Sequence, residues 1–327
     1  MQVLAEVERS GFVESRHYGI VVVADADGEV LAAAGDSDEV VYARSCSKPF
    51  QALAVYELGV ERALGVERIG LAGAAGSHMG EPVHVDSARK VLAAAGLDER
   101  ALRCPAALPR DPEARTQASG PAPIYHNCSG KHAYMLAGTV ACNWERERYP
   151  SPEHPLQAVV ADALVDYAGA PVEHVGVDGC GVPVHALALR GLATAYARLA
   201  SRANAGEDGP LALVEALRQH PVMLNGSGRL DTVLLEATGG RILAKAGAEG
   251  VHAAADLASG RGLALKVLDG SDRARGPALF AALRALGWID ESQQEAILPL
   301  VTSEILGGGE PVGEVRPATL ELDDISI

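Results

Sequence analysis

Three glycine-punctuated apolar stretches crowd the last third of the chain. RILAKAG (241–247), GVHAAAD (250–256) and GLALKVLDG (262–270) are strand-like, with glycine turns between them. Parallel strands need a crossover of a dozen or more residues. The short turns therefore predict an antiparallel meander. A hairpin opens the chain in the same style. Gly19 to Ala24 is apolar and β-branched, DADGE (25–29) supplies an Asp-Gly turn, and Val30 to Ala34 returns. Glu39 to Ala43 reads as a third short strand.

The middle of the chain has helical periodicity instead. Ala88, Val91, Leu92 and Ala95 fall on one face and stop at Gly96. Leu156, Val159, Val160, Ala163, Leu164 and Tyr167 repeat the pattern. So do Leu279, Ala282, Leu283 and Leu286, with Pro277 near the start and Gly287 at the end. Strands at both ends with helices between predict an α+β fold. No repeat or linker interrupts the chain, so a single domain over residues 1–327 is expected. Aromatic residues make up only 4%, so Ala, Val and Leu must fill the core, packed closely with the help of 36 glycines.

Charge and cysteine usage narrow the class. The net charge is −15 and the basic residues are scattered, which excludes a phosphate-backbone binder. The N-terminal MQVLAEVERSGFVESRH has no apolar core of a signal peptide, and no run approaches the roughly 18 apolar residues of a membrane span. Five cysteines, Cys46, Cys104, Cys128, Cys142 and Cys180, are odd in number and widely spaced. They read as reduced thiols, which suits a cytoplasmic location.

Against that background, YARSCSKPFQALAVY (42–56) stands out. Ser45 lies three residues before Lys48, and Pro49 marks the mouth of a helix running from about Pro49 to Leu58. Positions i and i+3 share a helix face, so a neutral lysine there can take the proton of a serine nucleophile. The same spacing also suits a plain helix N-cap. A lysine base needs its pKa lowered by about three units, which costs roughly 4 kcal/mol. Burial and a second cation are the usual means, so a second lysine is expected nearby. Lys245, in the first strand of the meander, is one candidate and Lys266 in the third is its rival. Cys46 and Ser47 are alternative nucleophiles to Ser45; the spacing favours Ser45.

Two further stretches carry unusual groups. GLAGAAGSHMGEPVH (70–84) leads apolar residues into a glycine-rich turn with Ser77 and His78. It lacks the G-x-G-x-x-G spacing, and no clear helix is expected directly after it, so a nucleotide site is excluded. HNCSGKHAYML (126–136) puts Cys128 and Lys131 one helical turn apart, and VDGCGVPVH (177–185) brackets Cys180 with glycines beside Asp178. Buried core thiols and a small thiolate-rich metal site both fit that pattern.

RSCSKP, GSHMGE, NCSGKH, VDGCGVP, AKAGAEG and ALKVLDG, in this order from about residue 10 to 315, resemble the Rhizobium-type (class 3) L-asparaginases. The resemblance implies an antiparallel sheet with surrounding helices like that of serine β-lactamases and penicillin-binding proteins. It also implies hydrolysis of L-asparagine to L-aspartate and ammonia. By that resemblance Ser45 and Lys48 form one Ser-Lys pair and Ser77 and Lys245 a second. Cys128, Lys131 and Cys180 bind Zn2+, Asp178 holds the substrate α-ammonium, and Arg44 serves its carboxylate. A homodimer is expected. The competing readings are a glutaminase or a β-lactam hydrolase of the same fold, or a non-catalytic zinc or thiol sensor built on Cys128 and Cys180.

Overall fold

A computed structural model of the chain describes residues 1–324. Its strands are β1 (Gln2–Arg9), β2 (Phe12–Ala24), β3 (Val30–Ala34), β4 (Val40–Tyr42), β5 (His174–Val177), β6 (Pro183–Ala188), β7 (Ile242–Ala246), β8 (Val251–Asp256), β9 (Arg261–Val267), β10 (Ser303–Gly307), β11 (Glu310–Pro317) and β12 (Asp323–Asp324). Its helices are α1 (Lys48–Tyr56), α2 (Val60–Leu64), α3 (Arg68–Ala75), α4 (Pro82–Ala94), α5 (Pro112–Gln117), α6 (Ser129–Ala141), α7 (Pro155–Ala168), α8 (Leu189–Asn204), α9 (Asp208–Gln219), α10 (Val222–Asn225), α11 (Leu230–Ala237), α12 (Asp272–Ala285) and α13 (Glu291–Val301).

The large sheet runs in the order β10-β11-β1-β2-β9-β8-β7, with β3 beside the second half of β2 and β12 beside β3. Every pairing is antiparallel, so the two ends of the chain meet in one sheet, as expected for an α+β fold. Side chains alternate between its faces with the two-residue period of a strand. Val22, Leu243, Ala253, Ala255 and Ala264 pack on one side with the helices of the middle segment. Val21, Val23, Ala244, Ala254, Leu263 and Leu265 pack on the other with α12 and α13. Small residues let the layers approach. A Cβ on Gly262 would sit 2.0 Å from the Ala193 carbonyl oxygen of α8.

The hairpin and the meander fall where the sequence places them. Three local expectations shift. The helix after Ser47 begins at Lys48 and ends at Tyr56. A helix does follow the glycine-rich stretch, because Pro82 opens α4 directly after Glu81. The apolar periodicity of α4 begins only at Val85 and Ala88, which hid that start. Pro277 lies inside α12, whose polar first turn extends back to Asp272.

A second, three-stranded sheet has the order β4-β6-β5. Tyr42 pairs with Ala186, and the Ala43 N–H donates to the His185 carbonyl at 3.0 Å. The chain leaving β4 therefore runs beside the turn joining β5 to β6. That places Arg44 next to Asp178. No helix among the described residues is long and apolar enough to cross a membrane.

Candidate active site

Arg44–Ser47 form a single 3-10 turn leading straight into α1. The Lys48 N–H donates to the Ser45 carbonyl. In 3-10 geometry i and i+3 eclipse one another, so the turn stacks Ser45 and Lys48 on one side. Arg44 has φ +48°, a left-handed conformation that costs a non-glycine residue about 1–3 kcal/mol. Its guanidinium Nε is held 3.0 Å from Asp178 Oδ1. Pairing across the small sheet and this ion pair together hold the strained residue.

The three nucleophile candidates of the turn differ sharply. Cys46 is fully buried, its thiol donates to the Lys245 carbonyl at 3.0 Å, and burial pushes its pKa up to about 12. Ser47 Oγ donates to the Arg44 carbonyl at 2.8 Å and accepts from Gln51 Nε2 at 3.0 Å. Ser45 is half-buried, and among the described residues its side chain makes no hydrogen bond. It is the one hydroxyl of the three left open for a ligand.

Lys48 is only 1% exposed. Lysines are almost never buried so fully. Its Nζ lies 2.6 Å from the Gly76 carbonyl, 3.0 Å from Ser77 Oγ and 3.3 Å from the Asn127 carbonyl. Burial pushes its pKa down, and Lys131 adds to that, against an opposing pull from Cys128. In this cage Nζ donates to both carbonyls and to the Ser77 hydroxyl; once the lysine has lost a proton, the Ser77 contact can turn round and the hydroxyl can donate to the amine lone pair. The cage depends on glycine. A Cβ on Gly76 would stand 1.9 Å from the Met223 carbonyl oxygen, and one on Gly130 would stand 2.7 Å from the Gly73 carbonyl oxygen. The first brings the end of α3 against α10, and the second brings α3 against the start of α6.

Lys245 lies on β7, on the sheet face of its register partner Ala253, which packs in the same core as Cys46, and is completely buried. Its Nζ donates to the Ala246 carbonyl at 2.7 Å. Burial lowers its pKa to about 8, with Asp231 opposing and Lys48 contributing. No hydrogen bond joins Ser77 and Lys245 among the described residues; Ser77 is bonded to Lys48 instead. Lys266, two strands away, is half-buried and donates to the Glu249 carbonyl.

The thiols gather on the other flank. Cys128 is the N-cap residue of α6, and Lys131 follows one turn later. Lys131 Nζ stands 3.2 Å from Cys180 Sγ. Cys128 hydrogen-bonds Cys180 and holds its thiol below the usual range; Lys131 and His132 act the same way against the effect of burial. That hydrogen bond, with burial, raises Cys128. Burial pushes the Lys131 ammonium down, but the two thiols and Asp178 outweigh it, and its pKa is raised. No three His, Cys, Asp or Glu side chains among the described residues are grouped to hold a metal. The donor set here is two soft sulfurs and one nitrogen, with Cys180 already disposed to be a thiolate. That set suits zinc once Lys131 gives up its proton.

Two residues beside the site carry no motif. Asp231 is fully buried; it accepts from His252 Nε2 at 2.9 Å and from the Ala246 N–H at 2.9 Å. Burial pushes its carboxyl up, but His252, Lys245 and the Ala246 N–H outweigh it, leaving it below the ordinary carboxylate range. The available signal was a histidine inside an all-apolar strand, GVHAAAD, which needs a partner when buried.

The family described as L-asparaginase II matches residues 5–317. No curated protein matches the chain. Among solved structures, a β-lactamase from Mycobacterium bovis is similar at 14% identity, covering 79% of this chain and 89% of that one, with a TM-score of 0.38. A candidate β-lactamase from Bacteroides dorei is similar at 16% identity, covering 76% of this chain and 84% of that one, with a TM-score of 0.41.

Proposed function

The chain belongs to the L-asparaginase II family, whose chemistry is amide hydrolysis, and from that premise we propose that it hydrolyses L-asparagine to L-aspartate and ammonia through a seryl ester on Ser45. The observation that carries this reading is the open Ser45 hydroxyl on the same turn as Lys48, a buried lysine whose pKa burial pushes down. An ammonium has no lone pair with which to serve as a base; an amine does.

In the first step Ser45 Oγ attacks the side-chain carbonyl carbon, and its proton passes to Lys48. The Ser45 backbone N–H, which makes no backbone hydrogen bond among the described residues, is positioned to donate to the developing oxyanion. Collapse of the tetrahedral intermediate breaks the C–N bond. The nitrogen leaves as ammonia with a proton returned from Lys48 through Ser77, whose hydroxyl bonds Lys48 Nζ at 3.0 Å. Water then cleaves the ester by the same proton path in reverse. Lys245 is the second lysine of the site. Its complete burial and its backbone contact with Cys46 on the Ser45 turn support it over Lys266, which is tied to Glu249. Its positive charge disfavours a second proton on Lys48.

The substrate ends are read at the rim. Arg44 and Asp178, ion-paired to one another, offer a cation and an anion in one place. A zwitterionic amino acid can exchange that pair for two of its own, carboxylate to Arg44 and ammonium to Asp178. Cys128, Cys180 and Lys131 would hold a zinc ion, whose positive charge assists substrate binding beside the Ser-Lys pair. Reduced thiols and a cytoplasmic homodimer accompany this reading.

Ammonia release from asparagine and glutamine, measured side by side, tests it. Turnover of asparagine well above glutamine is expected. Turnover of neither, by a folded zinc-loaded protein, contradicts the proposal.

A further inference from the structure

A cavity of about 430 Å3 opens on the far side of the β7–β8 pair from Lys245. Ala246 and His252 line it, and they are register partners, so they share the sheet face opposite that of Lys245 and Ala253. Neither Ser45, Lys48 nor Ser77 reaches it. Three arginines border it: Arg229, Arg273 and Arg275.

Its two carboxylates are already committed. Asp272 pairs with Arg275 at 2.6 Å. Asp231 accepts from His252 and from the Ala246 N–H, each at 2.9 Å. Arg273 spends only its Nε, on His17 Nε2 at 3.0 Å. Arg229 makes no side-chain hydrogen bond or ion pair among the described residues. Arg229 is thus left at the cavity without an anion, and Arg273, whose charge is shared with Asp269 through His17, keeps its two terminal nitrogens free of hydrogen bonds among the described residues.

The backbone adds to this. The N-terminus of α12, a helix of 14 residues, borders the cavity, and its N-cap Ser271 gives no side-chain cap. First-turn N–H groups and the helix dipole both favour an anion there. The end of α13 brings partial negative charge to the opposite wall, which restricts the favourable region to the arginine side.

We propose that this cavity is a second ligand site, separate from the Ser-Lys group, that binds a small oxyanion, carboxylate or phosphate, between Arg229, Arg273 and the start of α12. Arginine's planar fork suits both chemistries. The site does not depend on what Ser45 does.

Calorimetric titration of the whole protein with inorganic phosphate, and separately with succinate, tests it. One saturable site per chain for at least one of them is expected. Binding of phosphate alone assigns phosphate chemistry; binding of succinate assigns carboxylate. The double variant Arg229→Ala/Arg273→Ala, checked for an unchanged melting profile, should weaken that binding at least tenfold. Should the double variant lose its fold, Arg229→Gln alone, at an exposed position, should still weaken it severalfold. No saturable binding of either anion below about 10 mM, or binding equally tight in the folded variants, overturns the proposal.

Discussion

Lys48 and Lys131 stand on opposite flanks of the same site, equally hidden from water, and their pKa values move in opposite directions. Around Lys48 the hydrogen-bond partners are carbonyls and a hydroxyl, and burial, with Lys131 adding to it, outweighs the opposing pull of Cys128 and Cys180, so its pKa is lowered. Around Lys131 the near neighbours are two thiols and Asp178, and their negative charge outweighs burial. The same side chain is pushed toward the neutral form on one flank and, with no metal bound, toward the charged form beside Cys180 on the other. Burial makes a lysine sensitive to its neighbours; the neighbours decide what it does.

If the flanks divide into chemistry and binding, substitutions should separate them. The largest effect is expected on the chemical flank. Ser45→Ala should lower kcat by about a thousandfold or more with an unchanged melting temperature. Near-normal turnover by the folded variant would move the nucleophile to Ser47 or Ser77.

On the binding flank Cys180→Ser should act mainly through KM, raising it at least about tenfold, and should lose zinc at the same time. Metal analysis beside steady-state kinetics checks both. A fall in kcat as deep as that of Ser45→Ala, with KM unchanged, would erase the division. So would less than about a tenth of an equivalent of zinc in fully active protein.

A smaller effect concerns pH. The active form needs Lys48 without its proton, so the rate should rise with pH rather than fall. Burial takes Lys245 to about 8, with the charge of Lys48 adding to that shift. The apparent pKa of kcat/KM should therefore lie between about 7 and 9.5. Lys245→Met removes a positive charge near Lys48, makes protonation of Lys48 easier, and should move that limb to higher pH. A rate maximum near pH 5, or a limb that moves to lower pH, would contradict the lysine base.

Much of this arrangement was legible beforehand, because it rests on local spacing. Ser45 to Lys48 and Cys128 to Lys131 are one turn each, and any helical or 3-10 turn brings such pairs together. The meander was legible because β7, β8 and β9 are joined by glycine turns too short for a crossover. The rest depends on long-range packing. That Lys48 would bond Ser77 follows from α3 and α6 touching at Gly73 and Gly130, which no local pattern announces. Asp231 finds His252 across 21 residues and carries no motif. Arg44 is reached only through the family resemblance; its positive φ and its ion pair with Asp178 across 134 residues carry no local pattern. The start of α4 was hidden because its first turn, Pro82–Val85, has no apolar period.

The central claim is a covalent one, that the acyl group is carried by Ser45. It is tested by quenching the protein with acid during turnover of asparagine and mapping the modified peptide by mass spectrometry. The account predicts a β-aspartyl ester on the peptide containing Ser45, absent from Ser45→Ala. The same ester on Ser77 or Ser47, or a folded, fully active protein that turns over asparagine by single-step water attack with no ester even under conditions that slow deacylation, would contradict it.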